Sequence, residues 1–297
     1  MTLTQLSLDG GQSGIRTLLT EGGHTRPGPE SSGILSHRPL LEQLAELVGS
    51  ALQGRRVDVV AAGVSGLGPG DSAAALADLL GGTAGSVLLA HDSATSYLGA
   101  LGISQGAVIA SGTGAVTLAV GPERVLRVDG WGHLLGDLGS GFWIGREALS
   151  AVLAAFDGRG PRTELTAVAE REFGDLARLY LEIQADTGRV KRVAAWARVV
   201  AELSATDTVC RDISLRAGHH LADSVASGLR SVGAEPRVGR LGNVFRNRLV
   251  ESAFREELAA QVPGVEVVEA AGTGLDGAAR LPEVPEDSPL GALVDRA

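Results

Sequence analysis

The feature that most constrains this chain is a glycine-dense block that runs from Asp129 to Gly141. Five of its thirteen residues are glycine, and Trp131, His133 and Asp137 are interspersed among them. Glycine loses more conformational entropy on folding than any other residue, so this density is costly in regular secondary structure. We therefore interpret the block as a loop in which the backbone approaches a ligand closely.

A second small-residue turn, Ser111-Gly112-Thr113-Gly114, lies just upstream of that block. It separates the apolar runs 107–110 and 115–120, a pattern that predicts two β-strands joined by a tight turn. Such a turn can leave several backbone N–H groups pointing the same way. Together with the Thr113 hydroxyl, these groups make a concave donor site suited to a phosphate.

A similar layout occurs about a hundred residues earlier, where Asp9-Gly10-Gly11-Gln12-Ser13-Gly14 lies between predicted strands at 3–8 and 15–19. Taken alone, this segment is equally consistent with a plain hairpin turn. Because the layout recurs at 111–114, we favour a functional role. The Ser13 hydroxyl can meet a phosphate, and the Asp9 carboxylate can hold magnesium through water.

Between the two turns, the sequence has the rhythm of a parallel α/β sheet. Strand 57–62, helix 72–80 and strand 86–90 follow one another. Asp92 comes directly after the last of these strands, at the carboxyl end where open α/β sheets place their chemistry. An alternative role for Asp92 is to cap the amino terminus of a helix over 93–101.

Composition narrows the possible partners. With 297 residues and 44% hydrophobic content, the chain can form one large or two medium domains. Its net charge of -9 gives no electrostatic footprint for nucleic acid or anionic lipid, so a small-molecule partner is expected. A lone Cys210 and the lack of a signal-like or 18-residue apolar stretch favour a cytoplasmic protein that does not enter a membrane. Lys191 is the only lysine, so no Gly-x-x-x-x-Gly-Lys phosphate loop is present.

The order Ser-Gly-Thr-Gly, then Gly-Trp-Gly-His-Leu-Leu-Gly-Asp at 130–137, then a helix resembles the N-acetylglucosamine kinase branch of the BadF/BadG/BcrA/BcrD ATPase family. The resemblance extends from Asp9 to about Leu281. It implies a two-lobed α/β fold of the actin/hexokinase-like (ribonuclease H-like) ATPase type with an interlobe cleft. The implied divisions are an N-terminal lobe at 1–110, a C-terminal lobe at 111–272, and a last helix with a tail at 273–297.

The same resemblance implies an ATP- and Mg²⁺-dependent kinase that phosphorylates the 6-hydroxyl of N-acetylglucosamine and forms a homodimer. Asp92 would be the general base, and Asp9 would hold the magnesium. The implied nucleotide contacts are Gly10, Gly11, Gln12, Ser13, Gly112, Thr113, Gly114 and Gly242. The implied sugar contacts are Asp92, Gly130, Trp131, Gly132 and Asp137.

The chain departs from the family pattern at Gln12, Leu138 and Thr206, and the loop 22–37 lacks the asparagine that usually touches the sugar. Three alternatives therefore stay open. The acceptor could be glucosamine or N-acetylmuramic acid, or the chain could be a non-catalytic sugar- or nucleotide-binding protein. A dehydratase activator of the same family fits poorly, because such proteins resemble cysteine-ligated cluster proteins and only Cys210 is present.

Five further expectations concern the rest of the chain. The cations Arg189, Lys191, Arg192 and Arg198 are interpreted as a solvated helix face. The region 22–37 is predicted to be a polar loop, and 282–289 a mobile tail. Asp137 has an alternative role beside Ser140 as a cap for the helix that begins near Phe142, and His133 is taken as structural.

Overall fold

The computed structural model describes residues 3–11, 14–31, 33–35 and 37–297. It divides into two compact units. The first unit runs to Val108 and also takes in Val120–Val125 and Glu269–Ala297. The second unit comprises Ile109–Ala119 and Leu126–Val268.

The described residues form the following strands and helices. The strands are β1 (Gln5–Gly11), β2 (Gly14–Glu21), β3 (His24–Pro27), β4 (Val57–Val64), β5 (Ala84–His91), β6 (Gly106–Ser111), β7 (Ala115–Val120), β8 (Val125–Asp129), β9 (Arg237–Leu241), β10 (Glu266–Glu269) and β11 (Val294–Arg296). The helices are α1 (Leu40–Leu52), α2 (Ala73–Leu80), α3 (Asp92–Leu101), α4 (Gly141–Phe156), α5 (Leu165–Phe173), α6 (Leu179–Ala185), α7 (Arg189–Leu203), α8 (Thr208–Val232), α9 (Arg248–Gln261) and α10 (Gly274–Ala279).

The sheet of the first unit has the strand order β11-β5-β4-β1-β2-β3. Strands β1, β4 and β5 run parallel, whereas β2 pairs antiparallel with β1 across the Gly11–Gly14 turn. This arrangement confirms the predicted βαβ rhythm. It also brings the carboxyl ends of β1 and β5 to the same edge of the sheet.

The two-residue period of β1 determines where Asp9 points. Leu6 and Leu8 are fully buried in a core shared with α1 and α2. The alternate residues face the other side of the sheet, where Gln5 donates a hydrogen bond to the Ala279 carbonyl at the end of α10. Asp9 shares that side and lies against Gly274, the first residue of α10.

Two sequence expectations for this unit are wrong. The region 22–37 is not wholly a loop, because β3 pairs with β2 within it. The region 282–289 is not a mobile tail: it contains the buried Val284 and leads into β11, which pairs antiparallel with β5. Leu281, Leu290 and Val294, which flank this region, are also buried, and Val294 pairs with the distant Ala90.

The second unit is built on the strand order β10-β9-β6-β7-β8, with a layer of helices. Helix α8 packs on α9, and α4 packs on α7. The buried positions of α8 recur every three to four residues, as in Ile213, Ala217 and Leu221, so one apolar stripe faces this layer. Within the described ranges, we find no helix with the length and apolar character needed to span a bilayer.

Candidate active site

Asp9 sits at the turn end of β1, directly across the hairpin from Arg16 on β2. The Arg16 guanidinium donates to the Asp9 carboxylate, with 2.5 Å between Nη2 and Oδ2. The Asp9 side chain is only 16% exposed, whereas that of Arg16 is 49% exposed. Burial raises the pKa of Asp9; Arg16 opposes that rise, and the nearby charges of Asp92 and Asp276 add to it.

A pocket of about 390 Å³ opens beside this ion pair, entirely within the first unit. Its lining includes Asp9, Arg16 and Asp92 together with the predicted turn residues Gly10 and Gly11. The structure thus brings the proposed metal-binding aspartate and the proposed base to one pocket. The predicted contacts Gln12 and Ser13 lie outside the described residues.

Asp92 is the first residue of α3, immediately after β5. The alternative role as the helix cap falls instead to His91, whose Nδ1 lies 3.3 Å from the Ser93 amide nitrogen. The same Nδ1 lies 2.8 Å from Asp92 Oδ1. Nδ1 can donate to the Asp92 carboxylate only when it carries a proton, and it cannot then accept from the Ser93 amide. The Asp92 side chain is 33% exposed and accessible to a ligand.

The Asp9 carboxylate fits a magnesium ion that is held through water, rather than one that is coordinated entirely by protein side chains. Across the ranges that the structure describes, no three His, Cys, Asp or Glu side chains gather to hold a metal. Magnesium commonly uses one or two carboxylates, keeps several waters and binds substrate phosphates. Asp9 can supply such a carboxylate, provided that Arg16 yields the oxygen to which it donates.

The second predicted phosphate turn lies in the second unit and is fixed by its own backbone. Gly112 N–H donates to the Gly114 carbonyl at 2.9 Å, while Gly141 N–H donates to the Gly112 carbonyl at 2.7 Å. These bonds tie the turn to the start of α4. The Thr113 carbonyl accepts a further bond from the amide of Phe142 at 3.0 Å.

Position 242 requires a glycine, because the backbone there lies very close to this turn. Its backbone adopts φ 104° and ψ 161°, a conformation essentially restricted to glycine. A Cβ at this position would lie only 2.0 Å from the Ser111 carbonyl oxygen. The predicted nucleotide residues at 112–114 and 242 are therefore neighbours in the fold.

Beside the turn lies a pocket of about 490 Å³ within the second unit. Gly112 and Thr113 line it together with the alanine-rich face of α7 and the segment 243–247. Lys191, Arg198 and Arg246 also line it. Lys191 and Arg198 are exposed, in agreement with the expectation of a solvated helix face. Thr206, predicted to narrow a nucleotide pocket, is exposed in the turn before α8.

The glycine-dense block is organised by two aspartates. The Asp129 carboxylate accepts hydrogen bonds from the amides of Asp137 and Leu138, at 2.7 and 2.9 Å. Asp137 is itself 8% exposed and accepts from the amides of Gly132 and Ala115; burial raises its pKa. Its alternative role at the start of α4 falls to Ser140, whose hydroxyl accepts from the Trp143 amide.

Glycine also allows close packing inside this block. A Cβ at Gly136 would lie 2.3 Å from Asp129 Oδ1, and one at Gly130 would lie 2.8 Å from the Val116 side chain. Gly130 and Gly132 have φ values of 74° and 83°. The loop holds the Trp131 ring outward, 64% exposed, with the Arg127 guanidinium 4.7 Å from the ring centroid.

Solved structures share this architecture. The fold matches a Chromobacterium violaceum protein provisionally named an N-acetylglucosamine kinase, with a TM-score of 0.74 and 22% identity over 94% of this chain and 99% of that one. It also matches a ROK family glucokinase from Streptomyces griseus, with a TM-score of 0.60 and 16% identity over 94% and 98% of the two chains. These matches confirm the predicted class, the actin/hexokinase-like α/β fold of sugar kinases.

The family follows from the sequence of the whole chain. The model of the BadF/BadG/BcrA/BcrD ATPase family matches residues 15–281, and this chain belongs to that family, as predicted.

Two curated relatives match segments of the chain. The N-acetylmuramic acid/N-acetylglucosamine kinase of Clostridium acetobutylicum is 38% identical over 85 residues, which are 28% of each protein. The N-acetyl-D-glucosamine kinase of Dictyostelium discoideum is 31% identical over 180 residues, or 55% of this chain and 54% of that one. The chain thus spans under a third and about half of their respective lengths.

Sequence reasoning missed three side chains near these sites. His91 directly precedes Asp92 in the sequence and lies within hydrogen-bond distance of that carboxylate. Arg16 could have been found from hairpin spacing, because a tight turn at 11–14 pairs it with Asp9. Lys191 could have been found from helical spacing, because the pocket-lining residues 191, 194, 198 and 201 share one face of α7.

Proposed function

We propose that this chain is an ATP-dependent amino-sugar kinase whose acceptor is the 6-hydroxyl of N-acetylglucosamine. The observation that carries the proposal is the pocket in which Asp9 and Asp92 lie beside the Gly10-Gly11 turn. Family membership supports the use of ATP. The names of the two curated relatives, both kinases of N-acetylglucosamine, support the choice of acceptor.

Asp92 would act as the general base. As the sugar oxygen forms its bond to the γ-phosphorus and the bond to ADP breaks, the hydroxyl proton passes to the Asp92 carboxylate. The position of Asp92 directly after β5, in the pocket that Asp9 also lines, supports this role. Positioning of this kind supplies much of the rate enhancement in phosphoryl transfer.

The small-residue turns would bind the nucleotide phosphates. We assign Gly112, Thr113 and Gly114 to the phosphates, with Gly242 beside them, as we do Gly10, Gly11, Gln12 and Ser13 of the first turn. The pocket beside Thr113 supports this assignment, since its alanine face can take an apolar ring and Lys191 and Arg198 offer charge. When magnesium is bound, it would neutralise charge on the β- and γ-phosphates, and Asp9 would hold it through water.

The glycine-dense block would contact the sugar. An exposed indole can stack on a pyranose ring, and Trp131 offers such a surface. Gly130, Gly132 and Asp137 would line the sugar site with it, and the Asp137 carboxylate accepts hydrogen bonds from the amides of Gly132 and Ala115. We further propose a cytoplasmic homodimer, which light scattering and cell fractionation would test.

The test is ADP release by the purified protein with Mg-ATP, measured alone and with N-acetylglucosamine, glucosamine, N-acetylmuramic acid or glucose. We expect turnover that depends on N-acetylglucosamine and collapses in Asp92→Asn. Asp78→Asn is a matched control, because it makes the same change at an exposed position of the same unit. ATP binding without sugar-dependent turnover would contradict the kinase and favour a binding protein.

N-acetylmuramic acid is the alternative acceptor that a specific observation favours. The Clostridium acetobutylicum relative is named for both sugars. A higher kcat/KM for N-acetylmuramic acid than for N-acetylglucosamine in the same assay would replace our choice of acceptor and leave the reaction class unchanged.

A further inference from the structure

The charge of the pocket beside Asp92 poses a problem for a phosphate ligand. Asp9, Glu30 and Asp92 are the acids that line it, whereas Arg16 is the one cation among its described lining residues. A nucleotide triphosphate carries several negative charges, and phosphoryl transfer is stabilised by cations placed at the transferring group. The turn at Gly10-Gly11 carries no lysine, since Lys191 is the only one in the chain.

Arg16 is placed to supply the missing cation. It lies opposite Asp9 in the hairpin register, and its side chain lines the same pocket as Gly10, Gly11 and Asp92. The bond between Nη2 and Asp9 Oδ2 uses one part of the guanidinium. A guanidinium has five N–H donors in a planar fork that matches phosphate oxygens.

The Arg16–Asp9 pair can also exchange partners. The Arg16 side chain is about half exposed, and ion pairs at such exposure contribute little to stability. Asp9 is much less exposed, so the aspartate stays in place while the arginine can move. Exchange would free the carboxylate oxygen that a magnesium-bound water needs.

We infer that Arg16 is the phosphate-binding cation of the first unit: it pairs with Asp9 before ATP binds and turns to the terminal phosphate when ATP binds. This inference rests on the proposed use of ATP, although not on the identity of the sugar. It assigns to one side chain two successive roles, as the partner of Asp9 and as a ligand of the γ-phosphate.

The test is nucleotide binding without sugar, measured by calorimetry at saturating magnesium. ADP is compared with a non-hydrolysable imido analogue of ATP for the wild type, Arg16→Gln and Arg16→Lys. We expect Arg16→Gln to lower the affinity for the ATP analogue by roughly 10-fold or more, because a hydrogen bond to a charged group is lost. The affinity for ADP should change by less than about 2-fold. Arg16→Lys should recover part of the loss, because it keeps the charge but not the fork.

Arg26→Gln is the matched control, since Arg26 is an exposed arginine of the same sheet that pairs with Glu21 outside this pocket. Thermal unfolding followed by circular dichroism checks that each variant is folded. The inference would be overturned if Arg16→Gln bound the analogue as tightly as the wild type or more tightly. It would also be overturned if the affinities for ADP and for the analogue fell equally. A protein that binds both nucleotides but fails in the sugar assay contradicts the proposed kinase and leaves this result intact.

Discussion

The two predicted phosphate turns differ in their surroundings. The Asp9–Gly14 turn of the first unit is bordered by charge: Asp9 pairs with Arg16, and Asp92 lies in the same pocket. The Ser111–Gly114 turn of the second unit is held by backbone hydrogen bonds and by the close approach of Gly242. Charged side chains border the first turn, whereas the second turn depends on the absence of side chains.

The comparison shows why similar glycine patterns need different experiments. At the first turn, a substitution that preserves size and removes charge should change chemistry while leaving stability nearly intact. At the second turn, one added methyl group should perturb the fold before it perturbs chemistry. The following predictions are ordered by the expected change in free energy.

The largest effect is expected for Asp92→Asn. Removal of a general base lowers kcat by roughly 10²–10⁴-fold, or about 3–5 kcal/mol in the activation barrier. Because Asp92 is partly exposed and His91 caps α3, the melting temperature should change little. Steady-state kinetics and thermal unfolding on the same preparation check both statements. A large fall in melting temperature would show that Asp92 stabilises the fold, and the contrast between the charged pocket of the first unit and the Ser111–Gly114 turn would then fail.

Gly242→Ala should reduce the free energy of unfolding by about 2–4 kcal/mol. The added Cβ would meet the Ser111 carbonyl at 2.0 Å, and the backbone at φ 104° is unfavourable for alanine. Urea unfolding measures the change. Gly233→Ala is the control, since Gly233 also has a positive φ, 64°, but a Cβ there would meet nothing within 4 Å. An equal loss in both variants would mean that conformation, not contact with the turn, dominates.

Lys191→Met should weaken ATP binding by roughly 3–10-fold, about 1 kcal/mol, because it removes an exposed charge from the lining of the pocket beside Thr113. The remaining affinity should also depend less on salt. Arg189→Met, an exposed change at the start of α7, should leave the affinity unchanged. Calorimetry at two salt concentrations makes the measurement. If Lys191→Met had no effect, the second turn would bind phosphate without this charge. The difference from the first turn, which charged side chains border, would then be larger.

The parts of this molecule that sequence could predict are local. The strand–turn–strand pattern around Asp9 and the one around Thr113 follow from hydrophobic period and glycine placement, and both hairpins are observed. The position of Asp92 follows from its place after β5. Each signal lies within a few residues, where backbone geometry leaves few choices.

Features that depend on distant partners could not be predicted in the same way. The contact between Gly242 and Ser111 joins residues far apart in the chain, and no local pattern records it. The pairing of β11 with β5 depends on a strand at the opposite end of the first unit's sequence. Arg16 and Lys191 are intermediate cases, because strand register and helical spacing contained the information.

The smallest stability effect is expected for Trp131→Ala. The indole is 64% exposed, so its removal should change the free energy of unfolding by no more than about 0.5–1 kcal/mol, including the Arg127 contact. Trp196→Ala provides the contrast, since Trp196 is 1% exposed and its truncation should cost about 3–5 kcal/mol. A stable Trp131→Ala protein with a raised KM for the sugar would mark the ring as a ligand contact. If Trp131→Ala instead lost as much free energy of unfolding as Trp196→Ala, the Trp131 ring would be part of the packing of the loop. The glycine-dense block would then resemble the Ser111–Gly114 turn, where a substitution is expected to affect stability before chemistry.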